Sequence, residues 1–474
     1  MLRLLKIILL TFFFALPLQT RWIFKQPIVA GVPYEYGTLS IFAVEALGWV
    51  IILLGILNMR GMVHSMRPHR IHYAALVLIA LGFFSIILAT DKIIALQAAV
   101  RLLEGILIYF VISTVAKRGG KIPATTQASG ERFLAEWNPA PSSALVLGLG
   151  MTEWVGIAFI AGATLQAGLG IFQFLTQSSF ASTILGMAAH DPSVLGTSVI
   201  EVQGTRWLRA YGGLPHPNVF GGYLVIALAV VVIMWQKSQM SQRWQRLVLQ
   251  IAMPILLTGI LFSFSRTAWL AVVFLLVYWF IGLLFSEKTF GETFHNAQNP
   301  TIVGFCARTR WVWLAVGYLV FLVSLYRPLV AVRIFSGIEN QLEVKSRVER
   351  VEGLREAWQI TKNHPLLGVG IGNYTQAIAR EIRLNDQVWS YQPVHNVPLL
   401  IWAELGVIGL FLFLLILYQI FKTTQFYILH STFYILLLFD HYLWTLPFGV
   451  FIFWSILGFS TRFTQPTDSR PVAL

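Results

Sequence analysis

A chain of 474 residues that is 57% hydrophobic and 12% charged, with a mean hydropathy of +0.70, is excluded from the ordinary water-soluble class, because soluble domains carry about 25% Asp, Glu, Lys and Arg. Its formal charge of +13 does not by itself point to nucleic acid, since basic residues in a membrane protein act first as topology markers. The single cysteine, Cys306, excludes an internal disulfide and a thiolate metal cluster.

A bilayer core of about 30 Å requires about 20 apolar residues in helix. Twelve runs approach that length: 4–18, 39–57, 73–89, 93–116, 149–175, 219–235, 247–264, 267–285, 311–326, 396–421, 426–439 and 443–459. The first follows Arg3 and Lys6 in the manner of a signal peptide, yet no small-residue cleavage site follows and further spans do, so it reads as a retained span. With the N-terminus inside, eighteen of the 34 Lys and Arg fall in inner segments, six in short outer segments, nine in one long outer loop, and Arg101 within a span. That asymmetry places both termini in the cytoplasm. The expected fold is all-α: one polytopic membrane domain over 1–474, with about twelve transmembrane helices.

Between the spans, the inner loop 117–143 is rich in Gly, Pro, Ser and Thr and carries no chemistry, and the outer segment 176–217 is mixed and turn-rich. The large outer loop 327–394 contains residues 339–363, where Val344, Val348, Val351, Leu354 and Trp358 recur at helical spacing among charges. This is an amphipathic helix with one apolar stripe, packed on the protein's own outer face or lying on lipid headgroups.

Polar residues at the outer ends of spans form four groups. The first, Arg206-Trp-Leu-Arg209 through His216-Pro-Asn218, offers guanidiniums suited to phosphate; each could equally snorkel to headgroups, and His216 could simply cap the following helix. The second, Ser263-Phe-Ser265-Arg266-Thr267, puts an arginine in a hairpin too tight for good solvation, where an anionic partner is expected. No acidic residue is close in sequence, so a ligand phosphate or a distant carboxylate would serve. The third, His364-Pro-Leu-Leu-Gly368-Val-Gly370-Ile-Gly372-Asn373-Tyr374, follows a helix rather than a strand, which rejects a dinucleotide fingerprint and leaves a tight turn packing the loop onto the membrane domain. The fourth is His395-Asn396, followed within the next span by Gly406-Val-Ile-Gly409, a small-residue pair suited to helix packing. His395 titrates near neutral pH and could take a proton from a hydroxyl or be structural. Asp440-His441 adds a second acid–imidazole pair with the same ambiguity. Outer arginines, an outer histidine and no convincing metal ligand set together describe transfer of a group off a phosphate-activated donor.

In this order and on one side, these segments resemble the O-antigen ligase and polymerase superfamily of bacterial polysaccharide assembly. The matching pieces are Arg209 with His216-Pro-Asn218, Ser265-Arg266-Thr267-Ala-Trp269-Leu, Arg347 through the 364–374 stretch, and His395-Asn396 ahead of Gly-x-x-Gly. The likeness covers a core region of about 206–418, with 440–444 similar too. The resemblance implies a GT-C-like membrane glycosyltransferase with a large extracytoplasmic loop. It would act without cofactor or metal, moving a glycan from a polyprenyl diphosphate carrier to a hydroxyl on a glycan, lipid or protein. Membrane lipids, not nucleic acid, would be its other partners. By position, Arg209 and Arg266 would hold the diphosphate and His395 would be the base, or would orient the acceptor, in an inverting displacement. Arg347 would support the loop or donor, with His216, Asn396 and His441 in supporting positions. Leu410, where ligases often carry Thr or Tyr, leaves ligase versus polymerase open.

A rival class is a transporter or flippase of an anionic lipid-linked glycan, which would need polar groups through the membrane. The spans offer little beyond Glu45, Arg101, Glu104, Glu153 and Glu404, and Arg101 and Glu104, three apart on one helix, are expected to pair. A scaffold with a decayed site is a third class, against which the intact arginines and histidine argue.

Overall fold

The computed structural model describes residues 2–29, 31–59, 70–117, 144–236, 243–284, 302–335, 341–384, 386–387, 390–423 and 427–460. The inner loop 118–143 and several of the basic residues that mark orientation, among them Arg60, Arg67, Lys237 and Arg462, lie outside the described residues.

Each of the twelve apolar runs falls on a helix. In chain order these are α1 (Leu2–Ala15), α2 (Ala43–Met59), α3 (Arg70–Ser85), α4 (Lys92–Lys117), α5 (Ala144–Thr176), α6 (Pro217–Gln236), α7 (Arg243–Ser263), α8 (Arg266–Leu284) and α9 (Ile302–Leu325). There follow α10 (Arg327–Phe335), α11 (Gln341–Asn363) and α12 (Tyr374–Glu381), then α13 (Val397–Thr423), α14 (Tyr427–Phe439), the short α15 (Tyr442–Thr445) and α16 (Pro447–Ser460). Among the described residues five helices are long and apolar enough to cross a membrane on their own, or six if α9 and α10, bent by 92° at Tyr326, are one span. Five shorter apolar helices stand beside them.

The all-α expectation needs correction in the extramembrane segments. Three small antiparallel pairs form there: β1 (Arg21–Lys25) with β4 (Leu39–Phe42), β2 (Ile28–Val29) with β3 (Val32–Pro33), and β5 (Val199–Val202) with β6 (Thr205–Leu208). The run expected as helix from residue 39 therefore opens as a strand, because Leu39, Ser40, Ile41 and Phe42 pair with β1, whose Trp22, Ile23 and Phe24 favour strand, before α2 begins.

Helix α6 is apolar all round and buried from Pro217 to Ala229, as an element inside a bundle must be. Between apolar helices in lipid the hydrophobic effect gives little, so close packing has to hold them. Two glycines at the start of α6 supply it. A Cβ on Gly221 would lie 2.6 Å from Ser263 Oγ, and one on Gly222 2.3 Å from the Tyr442 hydroxyl. Through these contacts the α7–α8 turn and the 440–445 segment converge on one end of α6.

The loop between α11 and α12 is docked by a different device. Gly406 breaks α13 with φ +67° and ψ −175°, and a Cβ there would meet Leu366 O at 2.0 Å. The freed backbone is paired by the loop: Val369 N donates to Ala403 O and Gly370 N to Glu404 O, both at 2.9 Å. Gly368, Gly370 and Gly372 all take positive φ. The glycine turn thus packs onto the membrane helices as expected. Gly406, by contrast, serves a helix break rather than a smooth helix–helix contact, and Gly409 faces Leu405 of its own helix.

The amphipathic helix α11 is present, but its apolar stripe does not pack inward. Val348, Val351, Leu354 and Trp358 are all exposed, while Glu343, Ala357, Ile360 and Thr361 are buried. The buried face is selected by Glu343, which pairs with arginines below it, and by Ala357 and Ile360, which join a small core with Tyr374, Ile378 and Leu400.

Candidate functional site

The turn between α7 and α8 organises the site. Phe264 sits in the left-handed region with φ +47°, a strained conformation for a bulky residue. Ser265 N donates to Ser263 Oγ at 3.2 Å, and Ser265 Oγ caps α8 by accepting from Ala268 N at 3.3 Å. The consequence is that successive carbonyls, Ser263 O and Phe264 O, each accept a hydrogen bond from a different arginine. Arg209 Nε donates to Ser263 O and Arg333 Nε to Phe264 O, both at 2.8 Å.

Arg209 is buried at 5% exposure and does not snorkel. Its Nη2 donates to Asn218 Oδ1 at 2.7 Å, and no carboxylate is paired with it among the described residues. Burial and the neighbouring Arg333 guanidinium push its pKa well down, the mark of a cation short of counter-charge. Removing a charge from water costs several kcal/mol unless it is paired.

Of the two anionic partners open to Arg266, the structure supplies the distant carboxylate. Glu343, brought over by α11, lies 3.1 Å from Arg266 Nη2 and also pairs with Arg333 Nη1. Arg347 sits one turn further on, its Nε donating to Glu343 O at 3.4 Å, and Arg350 faces Asp440, Arg266 and Glu343. Among the described residues, Arg209, Arg266, Arg333, Arg347 and Arg350 thus share one field with two interacting acids, Glu343 and Asp440, an excess of three positive charges.

Against this cluster lie His395, Asp440 and His441. His395 Nδ1 is 3.6 Å from Asp440 Oδ1 and has no hydrogen-bond partner. The two imidazoles are 5.1 Å apart between ring centres. Burial alone would raise the Asp440 carboxyl, but the His395 and His441 imidazoles and the His441 N–H, donating to Asp440 Oδ1 at 2.8 Å, outweigh it and hold it well below the usual range. Burial and the adjacent His395 lower His441 to about 4. The acid is therefore ionised and His441 neutral at neutral pH.

The remaining residues expected at the site hold it in place. His216 Nδ1 accepts from Asn218 N at 3.1 Å, so its Nε2 carries the proton and donates to Ser198 Oγ at 3.1 Å. It caps α6, and burial beside Arg209 lowers it to about 3. Asn396 caps α13, its Oδ1 accepting from Leu399 N at 2.9 Å, and its Nδ2 reaches Leu438 O at 3.2 Å. One side chain thus ties the segment bearing His395 to the one bearing Asp440.

Asp440, Arg333, Glu343 and Arg350 complete the arrangement. Asp440 is visible in the sequence only as half of an ambiguous pair. Arg333 has a weak signal, a charge inside the apolar stretch Leu329–Phe335. Glu343 and Arg350 look like any charged residue of an exposed helix. The expected Arg101–Glu104 pair is also corrected: Arg101 Nε bonds Glu45 Oε1 at 2.7 Å across to α2. His395, Asp440 and His441 offer ligand atoms within 4.8 Å of one another, but the guanidinium excess beside them repels a cation and attracts an anion.

No curated protein matches the chain. Residues 251–414, which carry Arg266, Arg333, Glu343, Arg347 and His395, match the family model described as O-antigen ligase, and the match bears out the resemblance to the O-antigen ligase and polymerase superfamily.

Proposed function

We propose that this membrane glycosyltransferase of the O-antigen ligase or polymerase type moves a glycan from a polyprenyl diphosphate carrier to an acceptor hydroxyl, at the outer face of the cytoplasmic membrane. The observation that carries the reading is a buried guanidinium, Arg209, without a carboxylate among the described residues, inside a cluster with three positive charges in excess whose Arg350 interacts with Asp440, the partner of His395. A diphosphate supplies the missing negative charge, and bidentate donors match its oxygens.

In this reaction His395 takes the acceptor proton on the ring nitrogen turned away from Asp440, and Asp440 stabilises the imidazolium. The acceptor oxygen attacks the anomeric carbon from the face opposite the leaving group. The new C–O bond forms as the bond to the diphosphate breaks, with inversion. Arg209 and Arg266 hold the departing diphosphate and stabilise its developing charge, the part a metal ion plays elsewhere. His395 and Asp440 at 3.6 Å are slightly open, and such contacts tighten when substrate binds.

The topology that suits this chemistry is one membrane domain with about twelve spans, GT-C-like, with both termini cytoplasmic and the loop 327–394 outside. Core region 206–418 and the 440–441 pair carry the site. The partners are the lipid-linked donor and a glycan, lipid or protein hydroxyl. Transport is less well served, because two of the few charged groups within the spans are tied up structurally, Arg101 by Glu45 and Glu404 by Trp444 Nε1 at 2.9 Å. The test is transfer by purified protein in detergent, where no gradient exists, with Arg209→Ala, Arg266→Ala and His395→Ala. Loss of product in each is expected; full activity of Arg266→Ala would overturn the diphosphate assignment.

A further inference from the structure

A second region adjoins the site and is chemically unlike it. It is a solvent-open cleft between the N-terminal outer segment, α4, the glycine turn and the α15–α16 corner, mostly apolar with a few polar groups, the make-up of small-ligand sites. Four aromatic residues, Tyr36, Phe42, Tyr374 and Trp444, line it, of which Tyr36 and Trp444 are partly exposed, together with amide and hydroxyl groups such as Gln97 and Thr375.

Each of its two guanidiniums is compensated by a carboxylate. At the rim Arg21 bonds Glu35 through two nitrogens. Deeper down, Arg101 bonds Glu45 and donates to Ser40 O at 3.0 Å. Glu404 is held by Trp444. No buried cation waits there for an anion, in contrast to Arg209.

The cavity also borders the reacting centre. Thr445 lines it, and Thr445 Oγ1 is 2.8 Å from His441 Nδ1. The Tyr36 ring meets the His441 ring edge-on at 6.2 Å, and Pro393 on its wall is two residues from His395.

Resting on the transferase reading above, we infer that this cavity binds the acceptor, a neutral oligosaccharide end whose hydroxyl is presented to His395, while the arginine cluster binds the diphosphate donor. Aromatic faces stack on the apolar faces of sugar rings, and hydroxyls bond to amide and hydroxyl groups without needing a net charge. The two substrates are thereby sorted by charge: a diphosphate in the neutral cavity would forgo three positive charges, and a neutral glycan in the cluster would leave them uncompensated.

The test uses full-length protein in detergent, with Cys306→Ser, Arg21→Gln and Glu35→Cys, so that the only thiol stands on the cavity rim at an exposed position and no rim charge is left unpaired. Arg21→Cys with Glu35→Gln provides a second reporter across the rim. Maleimide labelling is timed with maltohexaose, cellohexaose, the oligosaccharide released by mild acid from the lipid-linked donor, a heparin hexasaccharide, or glycan-free polyprenyl diphosphate. At least one neutral oligosaccharide should slow labelling about tenfold at roughly ten times its Kd. Heparin hexasaccharide and polyprenyl diphosphate should leave the rate unchanged. Protection by polyprenyl diphosphate, equal protection by the anionic hexasaccharide, or none from any neutral oligosaccharide at either reporter overturns the assignment. Labelling needs no turnover, so such a failure leaves the Arg209, Arg266 and His395 roles standing, whereas an active Arg266→Ala enzyme removes those roles without altering the labelling result.

Discussion

The arginine cluster and the aromatic cavity flank the same histidine pair, yet they handle charge in opposite ways. In the cluster Glu343 alone is bonded to two arginines, Arg266 and Arg333, and Arg209 is left with neutral acceptors only. In the cavity each guanidinium has its own carboxylate, Arg21 with Glu35 and Arg101 with Glu45. The number of arginines in a region is therefore a poor guide to what it binds. The balance left after internal pairing decides, because a compensated pair presents little field and an uncompensated buried cation presents a strong one.

The sharpest way to break the contrast is to remove the uncompensated cation. Arg209→Ala should lower transfer about 10³-fold, some 4 kcal/mol of transition-state stabilisation. Arg209→Lys should restore little of it, since a point charge cannot replace the planar fork; initial rates of lipid-linked glycan transfer measure both. Next in size, Glu343→Gln should destabilise the protein by about 3 kcal/mol, because Arg266 and Arg333 then lose their shared acid in a buried place. Thermal unfolding in detergent reads this, and the sharing predicts that added pyrophosphate recovers part of the loss.

Acid should act on the histidine boundary between the two regions. His441 is lowered to about 4 from an ordinary value of 6.5, so the unfolded chain binds its proton first and stability falls as pH drops from about 6.5 towards 4. The loss is up to roughly 3 kcal/mol. His441→Gln should flatten that part of the pH–stability curve, and an unchanged slope would count against a buried neutral imidazole. The smallest effect belongs to the cavity: Tyr36→Ala should raise the acceptor KM about fivefold, near 1 kcal/mol, with the donor KM unchanged. A shift in donor KM instead would erase the division of labour.

The sequence made the helical part of the fold legible, because each of the twelve apolar runs falls on a helix, and an apolar stretch in lipid has to satisfy its backbone within itself. It did not make the small strand pairs legible, since the strands are only two to five residues long and β4 continues an apolar run without punctuation at 39–42. Arg209, Arg266 and His395 could be named because each is a polar group at the edge of an apolar run, a local signal. Asn396 and His216 were similarly visible as residues at helix starts. Glu343, Arg333 and Arg350 were not, and neither was the outward turn of the α11 stripe, because which face of a helix is buried depends on what lies beneath it.

By itself, then, the sequence determined the membrane class, the helix positions and the polar residues that sit where polar residues are expensive. Pairing was decided only in three dimensions. Arg101 answers Glu45, 56 positions away, rather than Glu104, 3 away; Arg266 finds its acid 77 positions on; and Arg209 is left without one among the described residues. Coulomb energy depends on distance and on the medium between charges, and neither quantity is written in a linear order of residues.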